Sequence, residues 1–319
     1  MRAFLQLIRF QQLIIIAACM YSIRYFLLEP VLQYFGYSLS LPDFDFGLLT
    51  ASVLLISAGA SVINNYFDRK ADLHNRPNQV VVGISIDRRM AIILHSVFSA
   101  LGIIAGWLVA WRAGFFWFGL IFPFISFIFW RYSAVYKRKL LIGNIIISLL
   151  IAGIPFLVFV FEYFFAIKIM GKDIPELLFH HLMVINLGIS TAAFFLYMAH
   201  EIAKDIHDFR GDYQAGARTL PITMGKKAAR TIISLILLIF ITLVVIAWFV
   251  YLRELPWLEY SLPSMIYILA FIVLPSAFLS LHIFNLKKKS QIRKFYSTIK
   301  FIMLMGLLFT IVIYLNIQY

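Results

Sequence analysis

Charged residues are scarce in this 319-residue chain. Asp, Glu, Lys and Arg together make up 13% of it, while hydrophobic residues make up 62%. A typical soluble domain carries about twice that share of charge, so an ordinary soluble globular fold is excluded. Cysteine is nearly absent as well, because Cys19 is the single one, which excludes an intramolecular disulfide.

Long apolar runs recur along the whole chain, each long enough to cross a bilayer core of about 30 Å. They predict an all-α polytopic membrane protein with about nine transmembrane helices around a central cavity. The first run contains Arg24 and Glu29 and lacks a small-residue cleavage site, which favours a retained span over a signal peptide. We expect Arg24 to pair with Glu29 or to extend its charge to the interface. The predicted spans are 11–36, 45–66, 89–111, 114–131, 140–163, 179–203, 229–252, 260–286 and 295–317.

With these spans, the basic residues fall almost entirely on one side of the membrane. That asymmetry predicts that the basic side, with the N-terminus, is cytoplasmic. The net charge of +13 therefore indicates topology and contact with membrane lipids, and no nucleic acid partner. The basic side receives Arg2, Arg9, Arg69, Lys70, Arg76, Arg88, Arg89, Arg131, Lys137, Arg138, Lys139, Lys204, Arg210, Arg218, Lys226, Lys227, Arg230 and the run 287–300. The other side has Arg112, Lys168, Lys172 and Arg253 against Asp43, Asp45, Glu162, Asp173, Glu176, Glu254 and Glu259.

Two acidic stretches, 64–72 and 204–212, follow one rule of spacing. An oxygen-bearing side chain is followed by Asp three residues later and by another Asp four residues after that. Spacings of three and four place such side chains on one face of a helix. Each stretch ends an apolar run, where a membrane helix meets water. The matched residues are Asn65, Asp68 and Asp72 in the first motif and Asp205, Asp208 and Asp212 in the second.

The two motifs follow the second and the sixth predicted span. Each is followed by a basic loop that contains Gly and Pro, at 73–83 and 211–221. This arrangement predicts an internal, parallel duplication of a four-helix unit with one span added, within a single domain over residues 1–319. Both acidic motifs would then lie at the cytoplasmic mouth of the central cavity.

The candidate ligands are all hard oxygens, and no Cys or His spacing suits zinc. Magnesium is typically held by one or two carboxylates together with substrate phosphates and water. Two facing clusters near Arg76, Lys137 and Arg218 would suit a diphosphate bridged by Mg²⁺. The simpler interpretation is two polar helix ends facing the cytoplasm, but the repeated spacing disfavours it.

These residues resemble the signatures of the UbiA-type intramembrane prenyltransferases. The family's Asn-x-x-x-Asp-x-x-x-Asp stands here as Asn64, Asp68 and Asp72, and its Asp-x-x-x-Asp stands as Asp208 and Asp212. The resemblance covers essentially the whole chain. It implies a prenyltransferase that moves a prenyl group from a polyprenyl diphosphate to an acceptor, with no obligatory protein partner.

The resemblance also implies roles for particular residues. The carboxylates hold Mg²⁺, and basic residues stabilise the departing diphosphate while aromatic rings shelter the allylic fragment. The implied catalytic residues are Asp68, Asp72, Asp208 and Asp212. The implied metal ligands are these four with Asn64 and Asp205. The implied diphosphate-binding residues are Arg76, Tyr132, Lys137, Lys204 and Arg218.

Two positions depart from the family pattern. Many members have Asp directly after the first Asn, where this chain has Asn65, so the first metal site carries one charge fewer. The family's Tyr-x-x-x-Lys element is imperfect, because Tyr136 stands four residues after Tyr132 and the lysine is Lys137. Either tyrosine could then line the site.

The segments 201–212 and 217–221 look like one branch of the family, the geranylgeranylglyceryl phosphate geranylgeranyltransferases. That branch implies attack by a hydroxyl and an ether lipid as product. An aromatic acceptor of quinone synthesis, such as 4-hydroxybenzoate, homogentisate or dihydroxynaphthoate, is the alternative. A cation transporter is a third hypothesis, but it would place carboxylates near mid-span, where the sequence has only Glu29.

Overall fold

The computed structural model describes residues 1–258 and 261–318. Glu259, and the start of the eighth predicted span at Tyr260, lie outside the described residues. Within the described part, nine helices are long and apolar enough to cross a membrane, and no β-strand is found. The prediction of an all-α polytopic membrane protein is confirmed. The nine helices are α1 (Phe10–Tyr34), α2 (Asp43–Asn75), α3 (Arg88–Arg112), α4 (Phe116–Ala134), α5 (Ile142–Asp173), α6 (Glu176–Gln214), α7 (Gly225–Glu254), α8 (Leu262–Asn285) and α9 (Lys289–Gln318).

Helices α2 and α6 are much longer than a membrane span requires. They have 33 and 39 residues, which corresponds to about 50 and 58 Å at about 1.5 Å per residue. The predicted spans ended at residues 66 and 203, because hydropathy detects only the apolar part of a helix. The helices continue through both acidic motifs. We call the end of the bundle that carries the motifs the motif side, and the other end the opposite side.

Helix α6 takes part in two hydrophobic cores. Near the opposite side, its first half packs against α2 and α5 in a core that includes Phe46, Phe161 and Leu182. Toward the motif side, its second half packs against α7, α8 and α9 in a core that includes Leu196 and Ile299. Because α6 packs in both cores, the second motif at its end has a defined position. The internal duplication stays a prediction.

The expected pairing of Arg24 with Glu29 is wrong. The Arg24 side chain is 2% exposed, and its Nη2 donates to Asp43 Oδ1 and to the Leu41 carbonyl oxygen, both at 2.8 Å. Glu29 does not contact Arg24, and its Oε1 instead accepts from Gln33 Nε2 at 3.4 Å, one turn further along the helix. Arg24 reaches across the α1–α2 connection instead.

A buried carboxylate of α5 also binds the connection between α1 and α2. Glu162 of α5 is fully buried and accepts hydrogen bonds from the backbone N–H of Ser40 at 2.5 Å and of Leu41 at 3.3 Å. Each carboxylate oxygen serves one donor. This connection is therefore fastened to α5 by side-chain oxygens rather than by apolar packing alone.

We expect Glu162→Gln to lower the stability of the protein. The amide NH₂ replaces one acceptor oxygen and leaves a buried backbone N–H without a partner, which costs about 1–3 kcal/mol. Thermal unfolding in detergent measures the effect. The matched control is Glu176→Gln at the exposed start of α6, and equal Tm values for the two variants would contradict this role of Glu162.

Candidate functional site

The C-terminal ends of α2 and α6 touch at the motif side. Asn75 Nδ2 donates to the Asp208 carbonyl oxygen at 3.0 Å, and the Gly211 N–H donates to Asn75 Oδ1 at 3.1 Å. A Cβ atom at position 211 would lie 2.4 Å from Asn75 Nδ2 and 2.7 Å from the Ala71 carbonyl oxygen. A glycine is needed for this approach, and the approach brings the two motifs face to face.

The central carboxylate of each motif is paired with a basic side chain. Asp68 and Asp208 are each 8% exposed. Asp68 Oδ2 accepts from Lys137 Nζ, and Asp208 Oδ2 accepts from Arg76 Nη2 at 2.5 Å. His207 Nδ1 lies 2.6 Å from the second oxygen of Asp208. Since Arg76 directly follows α2, its ion pair joins the first motif loop to the second motif.

The two basic groups stay charged in this setting. Burial is the largest single effect on the pKa of Lys137 and lowers it, but the charges of Asp68 and Asp72 and the hydrogen bond to Asp68 together raise the pKa above its ordinary value. Burial is the largest single effect on the pKa of Arg76 and lowers it, but the negative charges of Asp208, Asp72 and Glu201 together raise the pKa above its ordinary value. Lys137 and Arg76 are therefore cations at neutral pH, available to an anionic ligand.

The last carboxylate of each motif has no such partner. Within residues 1–258 and 261–318, no hydrogen bond or ion pair engages the carboxylate of Asp72 or of Asp212, and both side chains are half-buried. The charge of Lys137 acts on both of them. Lys137 thus lies between the two motifs, and Asp72 and Asp212 offer oxygens to a ligand that enters there.

The first positions of the motifs are tethered to other helices. Asn144 Nδ2 donates to Asp205 Oδ2 at 2.9 Å, and Arg9 Nη2 donates to Asn64 Oδ1 at 2.8 Å. Asn65 Nδ2 instead donates to the carbonyl oxygens of Leu7 and Ser61. The spacing that matches Asn65 with Asp205 does not give the two side chains similar contacts, because the Asn65 side chain holds the short helix Arg2–Leu7.

Of the two candidate tyrosines, Tyr132 is the buried one. Its side chain is 6% exposed and lies within electrostatic range of the carboxylates of Glu201, Asp205 and Asp68. Tyr136 contacts basic side chains at the end of α4, with Arg131 5.5 Å and Lys139 5.8 Å from its ring centroid.

The structure does not bring Lys204 and Arg218 to the paired carboxylates. Lys204 Nζ donates to both oxygens of Glu201, at 3.0 and 3.2 Å. The Arg218 side chain is exposed and has no hydrogen bond or ion pair within the described ranges, while its backbone N–H donates to the Arg138 carbonyl oxygen at 2.8 Å. Arg76, Tyr132 and Lys137 are the predicted diphosphate-binding residues that converge on the motifs.

Sequence reasoning left several residues at this site unassigned. Glu201 is 4% exposed and stands four residues before Asp205, on the same face of α6. That spacing was a usable signal. No comparable sequence signal pointed to the contacts of Arg9, Asn75 and Asn144, because their partners are distant in sequence. The contact of His207 with Asp208 depends on side-chain rotamers, which the sequence does not show.

In the described part of the chain, no three His, Cys, Asp or Glu side chains are grouped closely enough to hold a metal ion by themselves. The oxygens at the motifs are carboxylate and amide oxygens, which suit a hard cation. Magnesium takes only one or two carboxylates from a protein and completes its shell with phosphates and water, so this donor set fits it.

The family model described as the UbiA prenyltransferase family matches residues 31–308, which is most of the chain. The chain belongs to the UbiA prenyltransferase family. The family recognised in the sequence is thereby confirmed, and so is a multi-pass membrane protein.

Similar proteins include two named digeranylgeranylglyceryl phosphate synthase. The one from Methanothermobacter thermautotrophicus is 33% identical over 202 residues, which cover 61% of this chain and 62% of the relative. The one from Pyrococcus horikoshii is 34% identical over 179 residues, which cover 56% of each chain. The match thus spans less than two thirds of the length of these UbiA relatives.

Solved structures share the fold over nearly the full length. One, described as digeranylgeranylglyceryl phosphate synthase in membranes, has a TM-score of 0.67 at 20% identity and covers 100% of this chain and 99% of that one. A UbiA homologue from Archaeoglobus fulgidus bound to DMAPP and Mg²⁺ has a TM-score of 0.54 at 18% identity, with 97% and 99% covered.

We expect Gly211→Ala to destabilise the protein by about 1–3 kcal/mol, the usual cost of overpacking, since its Cβ would press on Asn75 and Ala71. The matched control on the same helix is Gly188→Ala, whose Cβ meets no atom within 4 Å. Thermal unfolding in detergent compares the two. Equal behaviour would mean that α2 and α6 need not approach so closely.

Proposed function

We propose that this protein transfers a geranylgeranyl group from geranylgeranyl diphosphate to a hydroxyl of geranylgeranylglyceryl phosphate, which forms an ether lipid. The observation that carries the proposal is the junction of α2 and α6, where Arg76 and Lys137 lie among carboxylates of both motifs. Such a site suits a multiply charged anion together with divalent cations. The names of the curated relatives support this acceptor.

Mg²⁺ is the cofactor in this proposal. Asp68, Asp72, Asp208 and Asp212 would hold it, with Asn64 and Asp205 at the edges of the site. When bound, Mg²⁺ neutralises the diphosphate and helps it to depart as a leaving group. The A. fulgidus homologue bound to DMAPP and Mg²⁺ supports the extension to this chain.

The chain's own residues have three tasks in the reaction. Lys137 and Arg76 bind the diphosphate and stabilise the negative charge it gains when the allylic C–O bond breaks. The ring of Tyr132, buried beside the motifs, offers its electron-rich face to the positive allylic carbon. The acceptor's hydroxyl oxygen then bonds to that carbon, and its proton passes to the released diphosphate as the ether forms.

We place the motif side, with both motif loops, in the cytoplasm. The basic residues that follow α2, α4, α6 and α8 support this orientation, since cytoplasmic loops carry an excess of Lys and Arg. The water-soluble product, diphosphate, would then be released into the cytoplasm.

The test is a reaction of the purified protein with Mg²⁺ and geranylgeranyl diphosphate. Geranylgeranylglyceryl phosphate, 4-hydroxybenzoate and dihydroxynaphthoate are offered in parallel, and products are identified by mass. We expect a prenylated glyceryl phosphate. A prenylated aromatic product alone would retain the transfer mechanism and overturn the proposed acceptor.

We expect Asp68→Asn and Asp208→Asn each to lower the rate of prenyl transfer by at least about 100-fold. Each substitution removes a carboxylate that would hold Mg²⁺, and losses of that size follow the removal of one group that stabilises transition-state charge. Product formation at saturating substrate measures the effect. Asp87→Asn, in the exposed loop before α3, is the control and should keep the normal rate.

We also expect Lys137→Gln to weaken binding of geranylgeranyl diphosphate by about tenfold, the usual effect of losing one charge-assisted hydrogen bond. Arg218→Ala should weaken it by about twofold or less, because the Arg218 side chain is exposed and contacts neither paired carboxylate. Binding titrations with Mg²⁺ present measure both. A larger effect at Arg218 would show that the donor extends over its loop.

A further inference from the structure

The connection between α4 and α5 lies between the two acidic motifs. It runs from Val135 to Leu141 and contains one short 3₁₀ turn, Tyr136–Arg138. The connection and the first turn of α5 contact α2 on one side, and α6 with its following loop on the other. We call residues 135–144 the bridge segment.

The bridge segment holds the first motif through two side chains. Lys137 Nζ donates to Asp68 Oδ2, and Arg138 Nη2 donates to the Phe67 carbonyl oxygen at 3.1 Å. The first contact orients a motif carboxylate, and the second fixes the backbone of α2 directly before that carboxylate. A displacement of Asp68 relative to the bridge segment would break both contacts.

The same segment also holds the second motif and its loop. Asn144 Nδ2 donates to Asp205 Oδ2 at 2.9 Å, and the Arg138 carbonyl oxygen accepts from the Arg218 N–H at 2.8 Å. Asn144 is 7% exposed, and a hydrogen bond in such a setting is stronger than one in water. Arg138 therefore binds α2 with its side chain and the loop after α6 with its backbone.

Gly143 brings the two ends of the bridge segment into contact. A Cβ atom at position 143 would lie 2.7 Å from the Tyr136 carbonyl oxygen and 2.8 Å from Lys137 Cα. Both are backbone atoms, which cannot rotate away as a side chain can. Because glycine lacks a Cβ, the first turn of α5 packs directly on the residue that carries the Lys137 ammonium group. Lys137 and Asn144, which serve different motifs, are thereby held at a fixed separation.

The entry into α5 is strained at Leu141. Its φ of 54° and ψ of −28° lie in a region that residues other than glycine rarely adopt. The Leu141 side chain packs against the core that α6 forms with α7, α8 and α9, which holds the residue in this conformation. Such strain persists where the surrounding structure imposes it, and it is concentrated at functional sites.

A ligand shared by two motifs requires one defined separation between them. Mg²⁺ demands near-ideal octahedral geometry with oxygens at about 2.0–2.1 Å, so carboxylates from two helices must be placed accurately. Hydrogen bonds that orient the groups around a metal typically contribute about 10- to 100-fold to metal affinity. The bond from Asn144 to one oxygen of Asp205 is of this kind, because it fixes the orientation of the carboxylate.

We propose that the bridge segment positions the two motifs for one shared ligand, a diphosphate with divalent cations. Asn144 and Arg138 are positioning residues, because Asn144 acts through Asp205 and Arg138 acts through the backbone beside each motif. The inference rests on the proposed function, which places Mg²⁺ and the diphosphate at the motifs.

The first test measures binding of inorganic diphosphate to the purified protein over a range of Mg²⁺ concentrations, with Tm recorded in parallel. Asn144→Ala should raise the Mg²⁺ concentration for half-maximal binding by about tenfold, since a group that orients a metal ligand is lost. The matched control is Asn186→Ala, a buried amide whose Nδ2 donates to the Leu182 carbonyl oxygen of its own helix. Equal shifts for the two variants, or a fall in Tm with no shift, would overturn the role of Asn144.

The second test measures the separation of the motif helices by pulsed EPR. In a Cys19→Ala background, spin labels are attached at Lys70→Cys and Arg210→Cys, two exposed positions within the motif stretches of α2 and α6. Gly143→Ala should lengthen or broaden the distribution of distances between the labels, because its Cβ forces the bridge segment apart. The matched control is Gly153→Ala on the same helix, whose Cβ meets no atom within 4 Å.

A distance distribution that Gly143→Ala leaves unchanged would overturn the inference. If Gly143→Ala fails to fold, Arg138→Ala provides the same measurement, because it removes the contact with the Phe67 carbonyl oxygen and leaves the backbone of the turn intact. We expect a broader distribution in that variant as well, and an unchanged one would again contradict the role of the bridge segment.

Failure of the proposed function gives a different result. If the labels separate in Gly143→Ala but the unsubstituted protein binds no diphosphate at any Mg²⁺ concentration, the bridge segment stands and the proposed reaction falls. If prenylation occurs while Asn144→Ala and Gly143→Ala change neither the Mg²⁺ dependence nor the distances, the reaction stands and the inference falls.

Discussion

The neutralisation of carboxylates at the membrane boundary is the constraint on which the rest of the structure depends. Asp68 and Asp208 are nearly buried, and an unpaired charge there would carry a large desolvation cost. Lys137 and Arg76 remove that cost, and each comes from the loop after a different helix. The ends of α2, α4 and α6 must therefore meet. The close contact at Gly211 and the tether from Asn144 follow from the same requirement.

This pairing also gives the motif site a chemical logic. In the free protein, Lys137 and Arg76 neutralise the motif carboxylates. When divalent ions bind these carboxylates, the two cations become available to a diphosphate. The net charge of the site then changes little. Since α6 packs in both hydrophobic cores, it holds Glu201, Lys204 and the second motif at fixed positions relative to one another.

Some features could be predicted because they depend on composition and short spacing. The apolar runs predicted the nine helices, and the spacing of three and four predicted that Asp68 and Asp72, or Asp208 and Asp212, share a helix face. Helix ends were less predictable, since α2 and α6 continue through polar residues that hydropathy scores as loop. The Arg24 pairing was wrong for a related reason, because its partner lies across a connection rather than along the helix.

By itself, the sequence determined the membrane class, the all-α fold and the family, because hydrophobic length and local spacing are properties of short segments. Only the tertiary structure decided which side chains meet. In the folded chain Asn64 contacts Arg9 whereas Asn65 contacts Leu7, and Tyr132 is buried whereas Tyr136 is not. Lys204 pairs with Glu201, and the Arg218 side chain is exposed. These choices depend on contacts between residues far apart in the chain, such as Lys137 with Asp68 and Arg9 with Asn64. The sequence pattern within one helix cannot predict such contacts, because the packing of several helices sets each distance.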